Sequence, residues 1–229
     1  MTTFSSNKSI TVALGDVHGN WTPIVNFEPT DCLIIQVGDF GVGFLHPKRE
    51  DSLLKMLSES LQEKNQELWV IRGNHDDPSY FLGDGRYEYD HIRFIPDYSV
   101  GTLSDSRVAQ FIGGGLSIDR VERVAGESYW GKEKLVLKED QIFFDAQLLF
   151  THVPPYQRMG YEKGAFCTHW CNRDKDLAAD LDEERYNIEN ISRHSKCEKH
   201  FSGHMHVDKV VRNDDRTYYS LGINAFREV

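Results

Sequence analysis

The sequence predicts an α/β fold built on a parallel sheet, and three observations carry that prediction. Three short apolar runs, Ile10-Thr11-Val12-Ala13, Leu33-Ile34-Ile35-Gln36-Val37 and Leu68-Trp69-Val70-Ile71, have the length and composition of buried strands. Between the second and third, Glu50 to Asn65 sets Leu53, Leu57 and Leu61 at four-residue spacing with Leu54 beside them, one apolar helical face. Strand, helix and strand in that order imply a right-handed βαβ crossover. Each run also ends near a glycine followed by residues that bind metals: Asp16 and His18 after Gly15, Asp39 after Gly38, Asn74 after Gly73. Open α/β sheets place their sites there, beyond the carboxyl ends of the strands.

Further along, Asp77 to Asp97 turns polar and tyrosine-rich, with Tyr80, Phe81, Tyr87 and Tyr89 around Gly83 and Gly85, and reads as a loop over the site. Val108 to Ile112 resumes strand character and ends in Gly113-Gly114-Gly115, which lack the G-x-G-x-x-G spacing of a dinucleotide fingerprint. Ala146 to Phe150 is another strand, ending at Thr151-His152. Asp174 to Ile191 is highly charged and reads as an exposed helix or helical loop. Phe201 leads into Gly203-His204-Met205-His206. Val207 to Val211 and Thr217 to Leu221, joined by Asn213-Asp214-Asp215-Arg216, form a closing hairpin. With no internal repeat or linker, residues 1–229 read as a single domain.

Composition narrows the function. A formal charge of −10 argues against a general polyanion-binding surface, so nucleic acid enters only as a substrate. No apolar run reaches the length of a membrane span, and the N-terminal residues have no signal-peptide pattern. Four cysteines, Cys32, Cys167, Cys171 and Cys197, are too few for a disulfide scaffold in 229 residues; reduced thiols and a cytoplasmic location are expected.

Collected in order, the ligand candidates are Asp16, His18, Asp39, Asn74, His152, His204 and His206. Seven oxygen and nitrogen donors are too many for one tetrahedral ion and suit two divalent ions sharing a carboxylate. Mixed donors favour Mn²⁺, with Fe or Zn²⁺ as alternatives, over an all-oxygen Mg²⁺ or Ca²⁺ site.

In their order, Gly15-Asp16-Val17-His18-Gly19, Gly38-Asp39, Gly73-Asn74-His75-Asp76, Thr151-His152 and Gly203-His204-Met205-His206 resemble the signature blocks of the calcineurin-like metallophosphoesterases. Glycines followed by Ser117-Ile118-Asp119-Arg120 resemble the phage and bacterial branch of that family. The resemblance implies a four-layer α/β/β/α sandwich with two mixed β-sheets and the ligands on loops at one edge. It implies that Asp16, His18, Asp39 and His206 hold one ion, and that Asp39, Asn74, His152 and His204 hold the other. A bridging hydroxide would attack a phosphate ester, with His75 as general acid and Asn74 also touching substrate. The phosphoprotein-phosphatase branch continues Gly-Asp into Asp-Arg-Gly, whereas this chain has Gly38-Asp39-Phe40-Gly41-Val42-Gly43. The phosphate clamp must therefore come from elsewhere, and Arg120 and Arg123 are the candidates.

Other readings compete at single points. Cys167, His169, Cys171, Cys197 and His200 could form a structural zinc site, although plain thiols suit the spacing better. The tyrosines of residues 80–89 could stack on a nucleobase or simply on one another. A nucleotide or nucleic-acid phosphodiesterase would use the same site. A non-catalytic binding module would have lost ligands that are all present here. No G-x-S-x-G elbow supports a serine hydrolase. Oligomeric state is left open.

Overall fold

The computed structural model describes residues 2–155, 165–213 and 215–229. The three apolar runs become parallel strands β2 (Ile10–Leu14), β3 (Cys32–Gln36) and β4 (Glu67–Val70). β5 (Ile92–Phe94) extends the sheet in parallel, and β12 (Phe226–Glu228) closes its other edge antiparallel to β2. The second sheet runs β1-β6-β7-β8-β9-β11-β10. Its members are β1 (Thr3–Ser5), β6 (Ser99–Thr102), β7 (Val108–Ile112), β8 (Leu148–Thr151), β9 (Lys199–Ser202), β10 (Lys209–Arg212) and β11 (Thr217–Ser220). The β6–β7 and β10–β11 pairs are antiparallel and the others parallel, so both sheets are mixed.

The period of two along each strand divides the core. In β3, Leu33 and Ile35 face the other sheet while Ile34 faces outward. The inward set, with Ala13 and Trp69, meets Phe111, Leu148, Phe150 and Phe201 between the sheets. Register aligns Phe111, Phe150, Phe201 and Tyr219 across four strands. Their rings stack at 5.3, 5.1 and 4.6 Å in succession, so cross-strand aromatic pairs stitch the second sheet together.

Helices cover both outer faces. A single turn, α1 (Thr22–Val25), precedes β3, and α2 (Pro47–Glu63) begins with proline at its first position and buries Leu54, Leu57 and Leu61 against Leu14, Ile34, Leu68 and Val70. Each such leucine contributes about 1.5–3 kcal/mol of burial. Leu53, read as part of the same face, is only half-buried. On the other side lie α3 (Ala165–Arg173) and α4 (Leu177–His194). The four layers are those expected.

Two expectations are corrected. The charged stretch from Asp174 is not an exposed helix: α4 buries Ile188 and Ile191 against Tyr98, Ile112 and Leu149, and Glu184 and Arg185 lie on the same buried side. Nor do the tyrosines form a loop over the site. Tyr80 and Phe81 are buried against Phe94, Tyr87 stacks on Tyr80 at 3.7 Å, and the Tyr80 and Tyr89 hydroxyls bond Glu50 and Asp51 of α2. Their apolar rings complete the helix-side core, and the backbone beyond them adds β5. In the closing hairpin, Asp214 lies outside the described residues.

Candidate metal centre

Strand register brings the ligand candidates to one edge. Leu14, Gln36 and Val70 are aligned at the carboxyl ends of β2, β3 and β4, so the Asp16, Asp39 and Asn74 loops emerge side by side. In the second sheet Phe150 pairs with Phe201, which sets His152 beside the Gly203-His204 turn. The loops approach so closely that glycine is required. A Cβ at Gly73 would overlap Asp39, and one at Gly203 would overlap the Asp16 carboxylate. His18, Asp39, His204 and His206 themselves adopt left-handed backbone, with φ of 48°, 56°, 66° and 54°.

Two groups result. Atoms of Asp16, His18, Asp39 and His206 all lie within 4.8 Å of one another, as do atoms of Asp39, His152 and His204. Asp39 belongs to both. The Asn74 Oδ1 atom is 3.0 Å from His152 Nε2 and 3.0 Å from His204 Nδ1, completing the second group. All seven candidates are therefore brought together.

The donor chemistry fits divalent cations. Asp16 and Asp39 are almost fully buried, and among the described residues their ion-pair partners are all histidines. Facing imidazole nitrogens lie 2.9 Å apart at His18 and His206 and 3.2 Å apart at His152 and His204. Such convergence of lone pairs and buried negative charge calls for positive charge between them. Burial opposes the charged form of His152, but Asp39 overrides it and pushes His152 up to about 10. Burial, reinforced by His152, pushes His204 down to about 3. The Asp16 hydrogen bond raises His206, whereas burial lowers His18.

Surrounding groups fix these donors. His152 Nδ1 donates to the Val37 carbonyl at 2.9 Å, which leaves Nε2 facing the cluster. Asn74 Nδ2 donates to Ser117 Oγ at 3.1 Å, and Ser117 donates in turn to Glu133 at 2.9 Å, so the amide oxygen points inward. Burial pushes Glu133 up to about 7. Asp76 accepts from the backbone amides of Phe40, Gly41, Val42 and Gly73, clamping the Asp39 loop to the Asn74 loop. Burial and the Asp39 charge push it up to about 7 against the pull of those amides. Asp76 and Glu133 carried no role in the sequence reading. The Gly-Asn-His-Asp block did contain the first; nothing local marks the second.

His75 lies beside the cluster, its ring 4.8 Å from that of His18. Its Nε2 accepts from Arg123 Nη2 at 2.8 Å, so in this arrangement Nδ1 carries its proton. Burial, aided by the Arg123 charge, pushes His75 down to about 4. Arg123 is held by Asp119 at 2.6 Å and faces the site. Arg120 does not reach it. Its guanidinium is committed to Asp174 at 2.5 Å and Asp180 at 2.6 Å, tying the turn after Ser117 to α4. The Cys167 side chain lies outside the described residues. Among those described, Cys171, Cys197 and His200 join no metal-binding group; Cys197 is a buried free thiol and His200 bonds Thr151.

A solved phosphopantetheinyl hydrolase from Mycobacterium tuberculosis is similar over 98% of this chain and 96% of its own, at 13% identity and a TM-score of 0.49. GAP50, the anchor in the inner membrane complex of Plasmodium, is similar over 93% of this chain and 70% of its own, at 17% identity and a TM-score of 0.43. No curated protein matches the sequence. The family model for calcineurin-like phosphoesterases matches residues 11–208, every ligand block included, and the chain belongs to that family.

Proposed function

We propose that the protein is a metal-dependent phosphoesterase. One observation carries the reading: two adjacent groups of Asp and His donors share the buried carboxylate of Asp39. Asp16, His18, Asp39 and His206 would hold one divalent ion and Asp39, Asn74, His152 and His204 the other, with Mn²⁺ preferred for the mixed donors. Such ions supply Lewis acidity to the phosphoryl oxygens and lower the pKa of the attacking water.

The chain's own residues do the rest. Asn74, oriented by Ser117, would offer its amide oxygen to an ion held with His152 and His204. Arg123 presents its guanidinium to the non-bridging oxygens of the ester, where charge accumulates in transfer. His75 protonates the leaving oxygen once the ester displaces Arg123 from Nε2, whose lone pair then takes up from solvent water the proton to be delivered, Nδ1 keeping its own. Arg120 has no part in binding.

Residues 1–229 act as one domain in this proposal. The phage and bacterial branch rests on Ser117-Ile118-Asp119-Arg120 and the glycines before it. A cytoplasmic location is supported by the buried free thiols of Cys32 and Cys197. No helix among the described residues is long and apolar enough to cross a membrane.

The test is hydrolysis by metal-stripped protein with added Mn²⁺. Substrates are para-nitrophenyl phosphate, its bis-ester and single-stranded DNA. Mn²⁺-dependent cleavage of either small ester supports the proposal, and cleavage of DNA alone favours the nucleic-acid alternative. Two bound ions without turnover of any substrate would leave a binding module.

A further inference from the structure

His75 has a second neighbour besides the metal cluster. A groove of about 750 Å³ begins at His18 and His75 and runs away from the cluster between α1, α2 and the Asp39 loop. Its walls are Trp21, Val25, Phe44, Leu45, Leu53 and Met56. Four of these are large apolar side chains left exposed: Val25 at 42%, Phe44 at 42%, Leu45 at 38% and Met56 at 63%. A contiguous exposed apolar surface of this kind is unusual on a soluble protein and marks a binding site. The volume is that of a small-molecule pocket.

The walls are anchored rather than loose. Trp21 stacks on Phe40 at 5.0 Å and donates from its indole nitrogen to the Phe40 carbonyl at 3.0 Å. Phe44 packs edge-on against Trp130 at 5.1 Å and lies nearly parallel to the His75 ring at 6.3 Å. Among the described residues no lysine, arginine, aspartate or glutamate lines the groove; its polar members are Asn20, Thr22, Ser60 and the two histidines at its mouth. The cationic group near the site, Arg123, contacts His75 but is not part of the groove.

Position and chemistry together identify the occupant. The leaving oxygen of an ester must lie against the residue that protonates it. Whatever is attached to that oxygen then continues past His75, and the space past His75 is this apolar groove. A charged leaving group, such as a nucleic-acid chain or a second phosphate, would be stripped of water there with no cation among the described groove residues to meet it. We propose that the substrate is a phosphate ester of an apolar alcohol, whose alkyl or aryl group lies in the groove walled by Trp21, Phe44 and Met56. The proposal rests on the phosphoesterase reading for the placement of phosphorus, but its test does not need turnover.

Alkylphosphonates have a carbon–phosphorus bond that hydrolysis does not break, so their binding reports the groove alone. Titration calorimetry on Mn²⁺-loaded protein compares methyl-, butyl-, octyl- and phenylphosphonate below any micellar concentration. Full transfer of a methylene from water is worth about fourfold in affinity; half of that on a logarithmic scale gives roughly a hundredfold between methyl and octyl. Phenyl tighter than butyl would assign the groove to an aryl alcohol, and the reverse to an alkyl one. The double variant Val25→Asp/Met56→Glu alters only exposed groove walls. It should cut the methyl-to-octyl gradient at least tenfold while leaving metal content and methylphosphonate affinity unchanged. Equal binding of methyl- and octylphosphonate, or a gradient untouched in the double variant, overturns the proposal. Turnover of para-nitrophenyl phosphate without a gradient defeats the groove alone. A gradient in a protein that cleaves no ester defeats the hydrolase reading and keeps the groove.

Discussion

Gly203→Ala tests whether the metal cluster depends on the close approach of two loops. The added methyl would overlap the Asp16 carboxylate, which is fully buried and accepts the His204 amide at 3.0 and 3.1 Å through its two oxygens. To restore contact distance, Asp16 or the Gly203 turn must move by on the order of 1 Å. Overpacking of this kind costs about 1–3 kcal/mol, and the weakened charge-assisted bond adds to it. We therefore expect a loss of about 3 kcal/mol, a fall in Tm of roughly 6–12 °C for a chain of this size. Ligand positions tolerate only about 0.2 Å, so the larger consequence falls on metal affinity. Asp16 belongs to the group with His18 and His206, and Asp39 serves both groups. The variant should therefore retain one ion where the parent is expected to bind two. Gly131→Ala is the control, since its Cβ meets nothing within 4 Å. Calorimetry of the metal-free proteins and metal analysis of the loaded ones give the answer. A Gly203→Ala protein with parental Tm and two ions would refute the reasoning.

Other expectations follow from the same geometry. Asp39→Asn should lose metal from both groups, because its carboxylate is shared; two retained ions per chain would show that it bridges nothing. His75→Ala should keep both ions and lower kcat by about a hundredfold or more for alkyl esters, and by less for para-nitrophenyl phosphate, whose leaving group needs no proton. Arg123→Ala should lower kcat/KM more for the doubly charged monoester than for the diester, whereas Arg120→Ala should treat the two alike and instead lower Tm, having untied Asp174 and Asp180. A monoester-selective loss from Arg120→Ala would reverse that assignment. The last expectation concerns pH. Glu184 is buried, its Oε1 finds no partner among the described residues, and burial pushes it up to about 7. Between the ordinary carboxylate value and about 7 the folded chain keeps a proton that the unfolded chain has released, so this group's contribution to stability falls as pH rises. Glu184→Gln should gain on the parent by up to about 3 kcal/mol between pH 4.5 and pH 7 in denaturant titrations. A difference that does not change with pH would mean that Glu184 titrates normally.

The parts of the fold legible in sequence are those whose pattern is local. β7 coincides with its apolar run, and β2, β3, β4 and α2 fall within a few residues of theirs. Four of the five ligand blocks were legible because they couple a glycine to a donor, and the structure shows why Gly73 and Gly203 are needed. What escaped depends on distant partners. The edge strands β1 and β12 are three residues each, too short to show a period. Arg120 and Arg123 are three residues apart and alike in local context; only Asp174 and Asp180, more than fifty residues on, draw one of them away. Charge misled at α4, where Glu184 and Arg185 sit on the buried face. Leu53 has the spacing of a core residue, yet it lies at the edge of the apolar stripe, on the side of α2 that lines the groove with Met56 and Ser60.

Left-handed backbone at His18, Asp39, His204 and His206 gives mutational drift a direction. Each such residue costs about 1–2 kcal/mol that glycine, and in part asparagine, avoids. Selection for the site must hold these four positions against that gradient. A lineage released from this selection would accumulate Gly or Asn at positions 18 and 206 first, since His18 and His206 are the more exposed pair and burial does not constrain their replacement. Its descendants would be thermally more robust than their working ancestor. Within a set of relatives, rising stability coupled to Gly or Asn at these positions would therefore mark lost function, whereas scattered substitutions elsewhere would not.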